Sequence, residues 1–309
     1  MAQLNAITLK QLRALAAVQE NGSITAAAER LNLTAPAVST QLKQLEANIG
    51  AKLVNRAADG NGFLTRQGHE VLKTATQIES ALQHCYKTIE SMNAGKSGLV
   101  SLGVVSTGKY FAPALVALAK KVMPDIRIDL TIGNRRSIIS ALEDHSIDLA
   151  IMGRPPRYPA VESVTIGDHP HILIAAPDHP LVNNRDISRR DLFSETFIQR
   201  EVGSGTRILM ERFLDRTGEG LTYDYMEFNT NETIKQAVIA GLGIALISAH
   251  TVMDALTAGR VRIIDMPGLP IVRQWFLVRP ASTAETPVTQ RVREFLVEQN
   301  GAFLPKMPD

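Results

Sequence analysis

The segment Arg200-Glu201-Val202-Gly203-Ser204-Gly205-Thr206-Arg207 concentrates groups fit for chemistry. Gly203 and Gly205 allow backbone N–H groups to converge, Ser204 and Thr206 add hydroxyls, and Arg207 adds a fixed positive charge. Where such a turn opens a helix, the free N–H groups of the first turn and the helix dipole favour an anion. Lys109, Arg135 and Arg154 are cations that could face the same point and would suit a strongly anionic small molecule, such as a phosphorylated metabolite. A plainer reading stands beside this one: a capped glycine turn whose arginines pair with Glu201 or Glu211 for structure.

Other chemistries fail on spacing. Val202 and Thr206 occupy the positions where a G-x-S-x-G nucleophile elbow around Ser204 requires glycines. No G-x-x-x-x-G-K-[ST] loop is present, and the glycine pair lacks the third glycine of a dinucleotide fingerprint. His169 and His171 stand two apart on an expected strand, so a shared metal is conceivable, but a packed strand histidine is the ordinary case. Glu143, Asp144 and Asp148 read as a helix end and a turn. No catalytic residue, cofactor or metal site is assigned.

A second pointed stretch lies near the N-terminus. Thr34 can cap a helix with Pro36 in its first turn, where a missing N–H costs nothing. Val38, Leu42, Leu45 and Ile49 step by four, three and four, which makes one apolar stripe, and Gly50 ends the helix. The opposite face carries Pro36, Ser39, Thr40, Lys43 and Gln44. Short hydrogen-bonding side chains and one cation are what a helix entering the major groove needs. Ahead of it, Thr8 caps a helix from Leu9 that Asn21-Gly22 stops, and Ser23 caps a short one, Thr25 to Leu31. Two short helices, a tight turn and a polar-faced third make a helix-turn-helix pattern; an ordinary three-helix core with a solvated face would read the same way.

The run Asn21-Gly22-Ser23-Ile24-Thr25-Ala26-Ala27-Ala28-Glu29-Arg30-Leu31, then Pro36-Ala37-Val38-Ser39 and Gln41-Leu42-Lys43-Gln44-Leu45-Glu46, resembles the DNA-binding signature of the LysR family of bacterial regulators. The likeness continues through Gly50, Leu53, Arg56, Leu64-Thr65 and Gly68. It implies groove contacts at Pro36, Ser39 and Lys43, with Ala35 and Thr40 beside them, phosphate contacts near Ser23, Thr25 and Thr34, and a wing arginine at Arg56. Ala35 stands where many members have glutamine, and Thr40 where many have arginine. The wing, Ala57 to Phe63, is glycine-rich and one residue longer, so the operator sequence does not carry over.

From Thr65 to Asn93 the chain has no proline, and Gly68 is its one glycine. Val71, Ala75, Ile78, Leu82, Cys85, Ile89 and Met92 alternate steps of four and three, a heptad seam that predicts a helical rod roughly 40 Å long and a dimer. An amphipathic helix lying on its own chain is the alternative. Cys85 falls in the seam and, as the only cysteine, reads as a small buried residue. Asn93 to Gly98 is a connector.

Beyond it strands and helices alternate, which argues for parallel βαβ units. Strands are expected at Leu99–Val105, Ile126–Ile132, Leu149–Met152, His171–Ala175, Phe197–Ile198, Asp224–Phe228, Ile244–Ile247, Val261–Ile264 and Val272–Val278. Helices are expected at Ala112–Met123, Ser137–Glu143, Arg207–Arg216, Thr233–Ala240 and Val288–Glu298. Ligands in open α/β sheets lie outside the carboxyl ends of the strands, which points to Ser106, Thr107 and Lys109, to Arg135, to Arg154, to the Gly203–Arg207 loop and to Asn229.

Two such lobes resemble the effector domain of LysR regulators, itself like a periplasmic binding protein. The expected fold is thus an α+β multidomain chain. A winged helix-turn-helix occupies about residues 1–64 and a linker and dimerisation helix 65–93. An α/β two-lobed effector domain fills 94–309, lobe I being about 98–168 and 272–309 and lobe II about 169–271. Within the family, Glu201–Arg207, Asn231–Val238, Gly241–Ser248 and above all Pro267–Trp275 are similar to regulators of RuBisCO (carbon-fixation) operons. The resemblance implies promoter DNA and a small anionic effector as partners, a dimer that pairs into a tetramer, and contact with RNA polymerase. Its effectors would be sugar bisphosphates, phosphoenolpyruvate or NADPH.

Composition is compatible and undemanding. A net charge of +2 is too small to announce a nucleic-acid binder, so the case rests on where charges sit. One cysteine excludes an internal disulfide framework, and no stretch approaches the roughly 18 apolar residues of a membrane span. The expected address is the cytoplasm. A solute-binding module without DNA function and an α/β enzyme are the competing classes; a salt-dependent gel shift separates them.

Overall fold

The computed structural model describes residues 4–56, 62–94 and 98–307. It forms two compact units, residues 1–86 and 87–309.

The first unit opens with α1 (Leu9–Asn21), α2 (Ile24–Leu31) and α3 (Ala35–Ile49). Each begins on a hydroxyl that accepts a first-turn N–H: Thr8 from Gln11, Ser23 from Ala26 and Thr34 from Ala37. Each ends on a left-handed residue, Gly22, Asn32 and Gly50. Caps of this kind contribute about 1 kcal/mol each and set where the chain turns. Leu15, Val18, Val38 and Leu45 close the core completely. A short antiparallel wing follows, β1 (Val54–Arg56) paired with β2 (Gly62–Leu64). The wing tip, 57–61, and the Arg56 side chain lie outside what is described.

Glu46 holds the wing to the reading helix. Its carboxylate accepts the Leu53 N–H at 3.0 Å and the Val54 N–H at 3.4 Å, and pairs with Lys52 at 3.0 Å. Burial pushes this carboxyl up, but the three bonds hold it below its usual range. Its stabilising effect is therefore present above the unfolded carboxylate value and is lost as pH falls through the lower folded one. Glu46→Ala is expected to cost about 1–3 kcal/mol, read as a lower denaturant midpoint with helix content retained.

Helix α4 (Arg66–Ala94) starts on the same core. Ala75 is buried, and Val71 and Leu72 pack beside it. The expected seam is thus divided: its first two positions serve their own domain, which the helix still touches in its fourth turn, where Glu79 pairs with Arg13 at 2.9 Å. Ile78, Leu82 and Ile89 stay exposed on the single chain, at 37%, 43% and 50%, and so does Cys85. The Met92 side chain lies outside the described ones.

The second unit is built on a seven-stranded sheet. Parallel β4 (Ile126–Gly133), β3 (Gly98–Val105) and β5 (Leu149–Met152) form one end, with α5 (Ala112–Val122), α6 (Arg135–Glu143) and the last helix, α11 (Pro287–Glu298), packed on them. The chain crosses out along β6 (Val161–Ala175), then makes α7 (Arg189–Phe193), β7 (Thr196–Arg200), α8 (Gly205–Gly218), β8 (Asp224–Phe228), α9 (Asn231–Ile239), β9 (Ala245–Ser248), α10 (Met253–Thr257) and β10 (Arg262–Ile263). It returns along β11 (Ile271–Pro280), antiparallel to β6 over nearly its whole length. β7 and β8 pair in parallel as a separate two-stranded sheet. Parallel units thus hold in β3, β4, β5, β7 and β8, while the crossing strands run antiparallel.

Both faces of β6 are covered beyond the crossing. Leu173 and Ala175 join a cluster with Phe197 and Phe213, while Ile172 and Ile174 join Val238 and Val252 on the other side. A strand buried on both faces reads as a continuous apolar run, which is why its end from His171 was visible in the sequence. The residues of β6 ahead of His169 were not expected as strand; Gly167 interrupts the pattern there. Gly167 (φ +142°) instead sits opposite Trp275, beside a register shift in β11, where a Cβ would come within 2.6 Å of Leu304.

Candidate functional site

A cavity of about 310 Å³ opens where the two lobes meet. Its lobe I wall comes from the carboxyl ends of the parallel strands: Ser106 and Thr107 after β3, Arg135 at the start of α6, and Gly153, Arg154 and Arg157 after β5. The opposite wall is the first two turns of α8, from Ser204, Gly205 and Thr206 to Arg212. The floor comes from the crossing strands, His169 and His171 on β6 and Arg273 on β11.

Five arginines line this space, and no aspartate or glutamate does. None of the five makes an ion pair among the described residues. Arg135 instead donates to the backbone carbonyls of Arg154 and Pro155. Burial and the neighbouring charge of Arg154 lower its pKa from the ordinary value. Like charges around a confined space raise its potential and recruit a counter-charge. Ser204 strengthens the effect. It precedes the first turn of α8 but makes no side-chain bond to it, unlike Thr8, Ser23 or Thr34. No side chain caps the N–H groups at that helix end, a setting that suits an anion.

Beneath the cavity the lobes share a buried network. Arg200, whose side chain is 2% exposed, donates to Glu201 at 2.8 and 3.0 Å, to Asn231, and across to Ser106 at 3.1 Å. Glu201 accepts from Asn134 of the other lobe at 3.3 Å, and Tyr110 donates to Glu232 at 3.2 Å.

Of the expected residues, the structure brings together Ser106, Thr107, Arg135, Arg154, Ser204, Gly205 and Thr206. Four others stand elsewhere. Arg207 bonds to Glu211, Glu227 and the Arg200 carbonyl. At 100° per residue it points away from the face shared by Gly205, Leu209 and Arg212. For Arg207, pairing with Glu211 for structure is therefore the correct reading. Lys109 lies 5.0 Å from the centre of the Tyr110 ring, since the chain coils into a 3-10 turn after Val105. Gly203 backs onto Arg136. Asn229 is exposed beyond β8, which pairs only with β7 among the described strands, and Asn231 takes the buried role. Arg157, Arg212, Arg273 and the two histidines were missed. Only Arg212 had a sequence signal, its place seven residues after Gly205 on one helical face.

His169 and His171 do not converge on a metal. Their rings lie 4.2 Å apart, His171 Nδ1 donates to the His169 carbonyl at 3.1 Å, and His169 Nε2 lies 3.0 Å from Ser248 Oγ. Burial lowers both pKa values, that of His171 to about 4, so both rings are neutral near pH 7.

On α3, Pro36, Thr40, Lys43 and Gln44 are exposed and Ser39 half-exposed, together on one side, while Val38, Leu42 and Leu45 are buried. Thr40 Oγ1 donates to the Pro36 carbonyl at 2.9 Å, which leaves its oxygen to accept. Ala35 leans on the core, and Thr25 and Thr34 are exposed beside the half-exposed Ser23.

The described regions match two family profiles. Residues 9–69 match the bacterial regulatory helix-turn-helix protein of the lysR family, and residues 93–301 match the LysR substrate binding domain. The chain belongs to the LysR family. Across its full length, and that of the relative, it is 49% identical to the HTH-type transcriptional regulator CbbR of Cereibacter sphaeroides. It is 39% identical to the RuBisCO operon transcriptional regulator of Allochromatium vinosum, over 95% of this chain and 96% of that one. Among solved structures it is similar to the Synechocystis PCC6803 CcmR regulatory domain in complex with 2-PG, with 31% identity, a TM-score of 0.62, and coverage of 68% of this chain and 99% of that one. As a LysR-type chain it is a DNA-binding regulator with an effector domain. No described helix is long and apolar enough to cross a membrane.

Proposed function

We propose that this regulator controls a carbon-fixation (RuBisCO) operon and is switched by a small phosphorylated anion in the interlobe cavity. The observation that carries the reading is five arginines without carboxylate partners among the described residues, around about 310 Å³ that an uncapped helix start also lines. Their placement on both walls suits a guest charged at both ends, as 2-phosphoglycolate is. The names of the full-length relatives and the ligand of the CcmR domain support the same reading. Calorimetric titration of the full chain with 2-phosphoglycolate and with a sugar bisphosphate tests it. Heat with these anions and none with uncharged sugars is expected; the reverse rejects the reading.

The DNA side acts as a dimer in the cytoplasm, through the exposed Ile78, Leu82 and Ile89 stripe of α4. Pairing of dimers into a tetramer and contact with RNA polymerase belong to the same proposal. Ligand shifts the population of lobe arrangements, whose cross-lobe bonds include those of Ser106, Asn134 and Tyr110, and α4 carries the change to the spacing of two reading helices. Lys43→Ala is expected to weaken promoter binding about 10-fold and to flatten its salt dependence by about one counterion. Dimerisation and anion binding stay unchanged. A gel shift across salt concentrations checks this, and wild-type affinity would refute the proposed groove face.

A further inference from the structure

At the floor of the cavity stands a buried polar atom without a partner. His169 is 4% exposed, its Nε2 is taken by Ser248, and its Nδ1 has no hydrogen-bond partner. Buried polar atoms are nearly always paired, and one left unpaired on a residue that lines a ligand cavity marks a contact the ligand can complete. Nδ1 faces Gly153, which lines the cavity with it; a Cβ there would stand 2.9 Å from the atom and close off its approach. The ring is otherwise fixed. It stacks on Trp275 at 3.8 Å and 13°, lies 4.2 Å from the His171 ring and 5.9 Å from that of His250, and pairs in register with Arg273.

The Ser248 hydroxyl makes this contact adaptable. A hydroxyl can donate to a neutral Nε2, which places the proton on Nδ1, or accept from a protonated one. His169 can therefore gain a proton without breaking a bond. The Trp275 face would stabilise the resulting cation. What opposes that cation in the empty cavity is burial and the surrounding His171, His250 and Arg273, with Arg154 beside them on the wall. An anion seated among the five arginines reverses the balance.

Resting on the anion-binding reading of the cavity, we infer that His169 is its proton-linked ligand contact: Nδ1–H donates to an oxygen of the bound anion, and binding draws a proton onto Nε2. Affinity for a dianion then rises as pH falls from 8 toward 7, and each binding event takes up part of a proton. The ligand cannot supply this sign. A phosphate monoester with a second pKa of about 6 is roughly one-tenth protonated at pH 7 and would release protons on binding as a dianion.

Titration of the full chain with 2-phosphoglycolate at pH 7, in buffers of different ionisation enthalpy, counts the protons. Wild type is expected to take up a measurable fraction, up to about one per site. His169→Asn keeps an N–H donor near the Nδ1 position but cannot titrate. It should bind within about threefold of wild type at pH 8 and lose both the uptake and the pH dependence. His169→Gln keeps a partner for Ser248 but offers no donor at Nδ1, and should bind about 10–100-fold more weakly. Undiminished uptake by the asparagine variant, or wild-type affinity in the glutamine variant, overturns the inference. Should neither variant fold, wild type decides, since binding without net uptake at pH 7 also overturns it. Failure of wild type to bind at any pH instead removes the reading of the cavity itself.

Discussion

Arg200→Ala is expected to destabilise the effector domain by about 3–5 kcal/mol, seen as a fall of about 6–20 °C in its thermal midpoint. The side chain is fully enclosed, as is its partner Asn231, while Glu201 keeps about 20% of its side chain exposed and Ser106 is half-buried. Removal would leave the Glu201 carboxylate without either of its arginine bonds and Asn231 Oδ1 without its donor. A largely buried charge stripped of its counter-charge costs more than the intact pair contributes. Arg200→Met combined with Glu201→Gln, which removes both charges, should therefore recover a large part of the loss. Asn134 Nδ2 would keep an acceptor in the glutamine carbonyl, and the Ser106 contact would still be gone. Thermal unfolding of the three proteins followed by circular dichroism checks this. A single mutant within about 1 kcal/mol of wild type would show that the network is peripheral.

This network also shows where sequence reasoning stops. Arg200 and Glu201 stood in the segment singled out for chemistry, yet nothing local told which of its arginines face the ligand and which hold the turn. The caps at Thr8, Ser23 and Thr34 and the four-three stepping of Val38 to Ile49 are local signals, and they placed the reading helix to within a residue. The strand-end rule found Ser106, Thr107, Arg135 and Arg154 for the same reason: each follows a strand recognisable alone. His169 and Arg273 reach the cavity only through the register of β6 on β11, a pairing between segments about a hundred residues apart. One residue of slip would turn one of them away from the floor, and no local pattern fixes which residues of the two strands face each other. Arg207 failed for a simpler reason. One step along a helix is a rotation of 100°, so neighbours in sequence are not neighbours on a wall.

Arg135→Gln and Arg212→Gln are each expected to lower affinity for 2-phosphoglycolate by about 10–100-fold, the range of a hydrogen bond to a charged group. The two stand on facing walls, so each should act on its own end of a two-ended anion. The effect on the empty protein separates this account from a structural one. An arginine held in an ion pair stabilises the fold, and its loss lowers the thermal midpoint. These arginines have no carboxylate partner among the described residues, and Arg135 is depressed by burial and by Arg154. Removing a charge from such a cluster relieves repulsion, so the ligand-free midpoint should hold or rise while binding falls. Arg212 is exposed, and its share should shrink as salt screens it, whereas the half-buried Arg135 should lose less. Calorimetry at two salt concentrations, together with thermal melts with and without ligand, measures all three quantities. Variants that bind normally, or that melt early without ligand, would mean that the cluster serves the fold and that the anion sits elsewhere.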